Sequence, residues 1–178
     1  MNTPNKLTVL RIIMTPFFLA ALMINFPHHH LVALVLFAAA SITDLIDGKI
    51  ARKYNLISNF GKFADPLADK ILVYSAFCLF IGNLMPAWML IVILTREFVV
   101  SGIRAVAASE GIVIAAGMSG KIKTVLQMIA VPMMLIVPII PTDIVFYYIT
   151  MGFLWASLIM TVYSGVEYVV KNRKVLSP

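Results

Sequence analysis

The sequence is poor in charged residues, and poorest in acidic ones. Only 12% of its 178 residues are charged, and eight aspartates and glutamates stand against fourteen lysines and arginines. Hydrophobic residues make up 61% of the chain. An ordinary soluble domain has about 25% charged residues and about half apolar ones. This composition argues against a soluble protein and indicates an integral membrane protein, with one domain expected over residues 1–178.

Cysteine is nearly absent too, and no dense basic patch is present. Cys78 is the single cysteine, so an internal disulfide is excluded. The net charge of +6 would suit a nucleic-acid partner, but the basic residues are spread over positions that flank apolar segments. They suit membrane lipid headgroups or an anionic substrate better, and we expect no nucleic-acid partner.

Long apolar runs divide the chain into six segments. We predict an all-α integral membrane fold of six transmembrane helices, with a short N-terminal interfacial segment. The predicted helices are about 7–26, 31–53, 59–82, 87–108, 121–140 and 144–170. Such lengths fit a hydrocarbon layer of about 30 Å, given some tilt. Pro86 is expected to start the fourth helix, and Pro132 and Pro138 to kink the fifth.

Lysine and arginine also indicate the orientation in the membrane. They are absent from the predicted connections at 26–30, 81–86 and 138–143. Because positive loops stay in the cytoplasm, we expect a multi-pass plasma-membrane protein with both termini and the active site cytoplasmic. On the opposite side, the run from His28 to His30 is interpreted as a solvated interfacial loop rather than a metal site.

Four of the eight acidic residues lie between positions 44 and 70, on two successive predicted helices: Asp44, Asp47, Asp65 and Asp69. Residues three or four apart share a helix face, so antiparallel packing would bring four carboxylates to one cavity. A charged side chain in the bilayer centre costs about 2.5–3.5 kcal/mol on insertion scales. Two divalent ions, Mg²⁺ or Mn²⁺, would balance this charge and clamp a diphosphate.

Small residues beside the carboxylates would let a nucleotide approach the helices, namely Gly48, Ala51 and Gly61. The alternative is a structural salt-bridge cluster with neighbouring basic residues. We favour metal because the carboxylates share one face, whereas Lys49 and Lys62 point elsewhere.

A second group of charges lies on the fourth predicted helix and just after it. Arg96 and Glu97 are interpreted as a structural ion pair. Arg104 is predicted to hold a phosphate monoester with its planar fork, assisted by Lys121 and Lys123 as point charges. Ordinary membrane-flanking charge is the alternative for the two lysines.

The spacing from Asp44 to Asp69 resembles the signature of the CDP-alcohol phosphatidyltransferase family, D-x2-D-G-x2-A-R-x8-G-x3-D-x3-D. Every fixed position is filled. Flanking segments at 4–11, 95–104 and 120–124 are similar to the branch of that family that forms phosphatidylglycerophosphate. The resemblance covers about residues 4 to 127.

The resemblance implies a six-helix membrane enzyme, usually a homodimer. It implies that Asp44, Asp47 and Asp65 bind metal and that Asp69 is the general base, which also touches the second metal. The CDP site would include Asn5, Thr8, Gly48, Ala51, Arg52 and Gly61. The implied substrates are CDP-diacylglycerol and sn-glycerol 3-phosphate. Two alternatives stay open, another alcohol acceptor such as inositol phosphate and a divalent-cation transporter, although the repeat symmetry of such transporters is not evident.

Overall fold

The computed structural model describes the backbone of residues 3–53, 59–115 and 117–173, and the side chains of residues 7–43, 67–68, 70–115 and 117–173. Within these ranges the fold is all-α, as predicted, apart from one isolated bridge between Ile81 and Met85. The helices are α1 Thr3–Met23, α2 His29–Lys53, α3 Asn59–Leu79, α4 Ala87–Ser109, α5 Met118–Ile136 and α6 Ile144–Lys171.

Several helix ends differ from the prediction. Residues 3–6 form the first turn of α1, and the prediction that they stand apart from the first helix is wrong. Pro4 is tolerated there because the first N–H groups of a helix have no intrahelical acceptor. The third helix ends at Leu79, since Gly82 adopts a φ of +85° and its N–H donates to the Met85 carbonyl at 3.0 Å.

The fifth helix is displaced along the chain relative to the prediction. It begins at Met118 and ends at Ile136, so Pro138 lies beyond it and the predicted second kink is wrong. A proline disfavours helical backbone at the residue before it, which explains the early end. Pro132 lies inside the helix, and Pro86 is the N-cap of α4 with extended backbone.

The chain divides into two compact units, Met1–Phe80 with Val131–Asp143, and Ile81–Ala130 with Ile144–Pro178. In the first unit α1 packs against α2 and α3, and α2 also contacts α3. The rings of Phe18 and Phe37 meet with centroids 5.9 Å apart inside this unit. The single domain expected from the sequence stays a prediction.

In the second unit, α4 packs against α6. The buried face of α6 carries small hydroxyl residues at Thr150, Ser157, Thr161 and Ser164, together with Leu154, Leu158 and Tyr168. Small residues on such a face are typical of membrane helix contacts because they let backbones approach closely. Near the end of α6, Tyr168 packs with Val100 and Ile103 of α4 in a buried apolar cluster.

Within the described residues, two helices are long and apolar enough to cross a membrane, α5 and α6. Shorter apolar helical stretches are Leu7–Met23, His29–Thr43 and Lys70–Leu79. Large apolar side chains are exposed in both units, with Phe17 64% and Phe98 72% exposed. A lipid-facing surface accounts for such exposure. Six membrane crossings stay a prediction.

Candidate active site

The predicted carboxylates lie on helical backbone. Asp44 and Asp47 belong to the last turns of α2, and Asp65 and Asp69 to the first half of α3. The structure therefore supports the helical periodicity on which the predicted shared faces depend, and the two helices are in contact. The side chains of these four aspartates lie outside the described residues.

The predicted CDP-binding residues fall mostly in the same segments. Gly48, Ala51 and Arg52 lie in α2 and Gly61 in α3, whereas Asn5 lies in the first turn of α1. Their side chains lie outside the described residues, so their role stays a prediction.

Thr8 is the predicted nucleotide-binding residue whose side chain is described. It is fully buried, as is Arg11 one turn later. Thr15 continues this polar face, and its hydroxyl donates to the Arg11 carbonyl at 3.0 Å. If α1 crosses the membrane as predicted, its buried arginine is a functional candidate. Sequence reasoning did not assign Arg11 to the site. Its spacing of three residues from Thr8 was the available signal.

The residues of α2 and α3 fit divalent metal by donor chemistry. Four carboxylates on two helices in contact supply the hard oxygen ligands that Mg²⁺ and Mn²⁺ prefer. Among the side chains that the structure describes, no group of three histidine, cysteine, aspartate or glutamate residues could hold a metal ion.

The histidine run is partly helical. His29 and His30 open α2, which corrects the prediction that they belong to a loop, and His28 precedes them with a φ of +63°. The three imidazoles line a cavity of about 300 Å³ together with Leu31, Pro138 and Ile139.

The ion pair expected on α4 is present and has a third member. Arg96 Nη1 lies 2.8 Å from Glu97 Oε1, and the Lys123 ammonium donates to the same oxygen. Glu97 and Lys123 are only 6% and 3% exposed. The Arg96 Nε donates to the Ser164 hydroxyl of α6 at 3.2 Å. Lys123 is thus engaged by a buried carboxylate, and its predicted contact with an acceptor phosphate stays a prediction.

Two glycines make room for the Arg96 side chain. A Cβ at Gly165 would lie 2.9 Å from Arg96 Cγ, which is closer than real Cβ contacts. A Cβ at Gly120 would lie 3.2 Å from Arg96 Nη2. Arg96 therefore fits between α5 and α6 because both helices lack a side chain beside it.

Arg104 is exposed and contacts α6. Its Nε donates to the Tyr168 hydroxyl at 3.2 Å, and its guanidinium carbon lies 5.5 Å from the centre of the Tyr168 ring. Lys121 is also exposed, whereas Lys123 is buried. Residues two apart do not share a helix face, so the two lysines point to different surroundings.

Sequence reasoning missed the end of α6. Ser164 contacts Arg96, Tyr168 contacts Arg104, and Glu167 accepts hydrogen bonds from Ser119 and, at 2.5 Å, from Lys171. The signal was the recurrence of polar residues at three- and four-residue spacing in an otherwise apolar helix.

Comparison with known proteins gives consistent matches. Residues 1–163 match the family described as CDP-alcohol phosphatidyltransferase. The chain is 45% identical to the CDP-diacylglycerol–glycerol-3-phosphate 3-phosphatidyltransferase of Bacillus subtilis (strain 168), across 98% of this chain and 97% of that protein. A Rickettsia bellii protein of the same name is 38% identical, across 97% and 96% of the two chains. A probable phosphatidylglycerophosphate synthase of Mycobacterium tuberculosis (strain H37Rv) is also 38% identical, across 96% and 81%. The chain therefore belongs to the CDP-alcohol phosphatidyltransferase family.

Proposed function

We propose that this chain transfers the phosphatidyl group of CDP-diacylglycerol to sn-glycerol 3-phosphate, giving phosphatidylglycerophosphate and CMP. The observation that carries the proposal is the similarity over nearly the whole chain to relatives named for this activity. The complete aspartate motif on the contacting helices α2 and α3 supports the same chemistry.

In the proposed reaction, the 1-hydroxyl oxygen of the acceptor bonds to the β-phosphorus of CDP-diacylglycerol. The bond from that phosphorus to the bridging oxygen breaks, and CMP leaves with this oxygen. Asp69 accepts the hydroxyl proton as general base, which typically contributes about 10²–10⁴-fold in rate.

Divalent metal is the proposed cofactor, as is general for this family. Two ions, Mg²⁺ or Mn²⁺, would be held by Asp44, Asp47, Asp65 and Asp69. Bound there, they would neutralise diphosphate charge and stabilise the charge that develops at the reacting phosphorus. Small residues and Arg52 would receive the CDP group, together with Asn5 and Thr8 of α1.

The acceptor phosphate is proposed to bind Arg104, with Lys121 and Lys123 as further positive charges. The exposure of Arg104 and Lys121 supports this role, because both are accessible to an anion. Lys123 is the weakest member, since Glu97 already accepts a hydrogen bond from it.

The membrane setting is proposed from the charge pattern. Six crossings would place both termini and the active site in the cytoplasm, since lysine and arginine avoid the three opposite connections. A homodimer in the plasma membrane is proposed from the family resemblance.

The test is release of CMP by purified protein in lipid–detergent micelles. We expect release from CDP-diacylglycerol that depends on added sn-glycerol 3-phosphate and on a divalent ion. A screen of acceptors, with inositol phosphate included, checks the acceptor class. The proposal would be contradicted by CMP release that does not depend on added acceptor, or by divalent-cation uptake into vesicles without CMP release.

A further inference from the structure

Tyr168 is a buried residue with a polar end, near the end of α6. It is 7% exposed, and its ring packs against Val100 and Ile103 of α4. Its backbone carbonyl accepts a hydrogen bond from the Asn172 side chain at 2.8 Å. The hydrogen bond from Asn172 holds the backbone at this position, and the packing of α4 against α6 holds the ring and sets the position of its hydroxyl.

The hydroxyl of this fixed ring meets one edge of the Arg104 guanidinium. Nε donates to it at 3.2 Å, and the guanidinium carbon stands 5.5 Å from the ring centre. Among the residues whose side chains the structure describes, the two terminal nitrogens of Arg104 make no hydrogen bond. An arginine can bind a phosphate through Nε and one terminal nitrogen, or through both terminal nitrogens. Because Nε donates to Tyr168, the edge formed by the two terminal nitrogens is the one that remains available for a phosphate.

This arrangement also limits the freedom of a long side chain. An exposed arginine loses rotamer entropy when a ligand immobilises it. A tyrosine that holds the guanidinium beforehand removes part of this cost from binding. The aromatic face adds a cation–π attraction at the observed distance.

We propose that Tyr168 is a positioning residue for Arg104. Its hydroxyl holds the Nε edge of the guanidinium and presents the two terminal nitrogens to the phosphate monoester of the acceptor. This inference rests on the function proposed above for Arg104, and it adds a residue of α6 that acts through another side chain.

The test compares Tyr168→Phe with the wild type, using the full chain in lipid–detergent micelles. The change removes the hydroxyl and keeps the packed ring. Binding of labelled sn-glycerol 3-phosphate is measured at equilibrium, beside the KM for each substrate, kcat and thermal unfolding. We expect about five- to tenfold weaker acceptor binding and a matching rise in its KM, which is less than a full hydrogen bond to a charged group contributes because the tyrosine acts through Arg104. The KM for CDP-diacylglycerol and kcat should stay within twofold.

Tyr163→Phe is the matched control, because Tyr163 lies on the same helix and is 58% exposed. It should leave all these constants unchanged. Arg104→Lys should weaken acceptor binding by itself, and adding Tyr168→Phe to it should cause little further loss, since the tyrosine acts through the arginine.

Three results would overturn the inference. One is unchanged acceptor binding in Tyr168→Phe. Another is a parallel change in both KM values with a lowered unfolding temperature, which indicates a packing role only. The third is additive losses in the double variant. If Arg104→Lys alone binds the acceptor normally, the function proposed for Arg104 fails and the role of Tyr168 fails with it. Acceptor binding is measured directly, so each of these outcomes can be recognised even if the protein shows no turnover.

Discussion

The aspartate cluster predicted on α2 and α3 and the cluster around Glu97 differ in their composition. The motif on α2 and α3 brings four aspartates within 26 residues of sequence, all of one sign and at helical spacing. The cluster around Glu97 contains its own counter-charges, since both Arg96 and Lys123 donate to a single carboxylate oxygen. Like charges on one predicted helix face would require counter-cations, which we propose to be divalent metal, whereas the cluster around Glu97 contains its own.

This contrast separates the proposed ligand site from a structural cluster. Removing a charge from the aspartate motif should affect chemistry more than folding. Removing a charge from the Glu97 cluster should affect folding directly, because a buried charge without its partner is costly.

The largest effect is expected for the proposed metal ligands. Asp44→Asn or Asp65→Asn should lower turnover by on the order of 10³-fold, because metal ions contribute several kcal/mol of transition-state stabilisation. Excess chelator should abolish wild-type turnover, and Mg²⁺ or Mn²⁺ should restore it. Asp143→Asn is the matched control, as a carboxylate outside the motif, and should retain activity. Full wild-type turnover in chelator would contradict the metal requirement.

Asp69→Asn should lower kcat by about 10²–10⁴-fold, the usual contribution of a general base. Binding of CDP-diacylglycerol should largely survive, because the amide keeps the size of the side chain. We would measure the rate of a single turnover and the affinity for a labelled CDP-lipid. Near-normal kcat would require another group to accept the proton.

Glu97→Gln should act chiefly on stability. The change leaves the buried Lys123 and the largely buried Arg96 without their shared carboxylate, and breaking a buried ion pair costs about 3–5 kcal/mol. Thermal unfolding in detergent should show a clear decrease. Adding Lys123→Met should recover part of the loss, since it removes one of the uncompensated charges. Unchanged unfolding of the single variant would show that the cluster is solvated.

The same contrast explains what could be predicted from the sequence. The aspartate motif could be recognised because its residues lie close in sequence and its interpretation requires only helical backbone. The structure confirms that backbone in α2 and α3. The contacts of Arg96 and Arg104 with α6 join residues 68 and 64 positions apart. Such pairs depend on how α4 packs against α6, which no local pattern determines. Arg11 shows the same limit at a smaller scale, because its burial depends on neighbouring helices. The end of α5 before Pro138, in contrast, follows a local rule that the prediction did not apply.

The smallest effect is expected at the glycines of α6, where the chain offers a matched pair. A Cβ at Gly165 would lie 2.9 Å from Arg96 Cγ, whereas a Cβ at Gly152 would meet nothing within 4 Å. Overpacking of a filled site typically costs about 1–3 kcal/mol, so Gly165→Ala should lower the free energy of unfolding by that amount. Gly152→Ala should instead raise it by up to about 1 kcal/mol, since alanine is the better helix former. Both helical positions gain the same methyl group, so the difference between the variants isolates the clearance that Arg96 requires. Equal stability of the two variants would mean that Arg96 can move aside, and that the cluster around Glu97 is held less tightly than its contacts suggest.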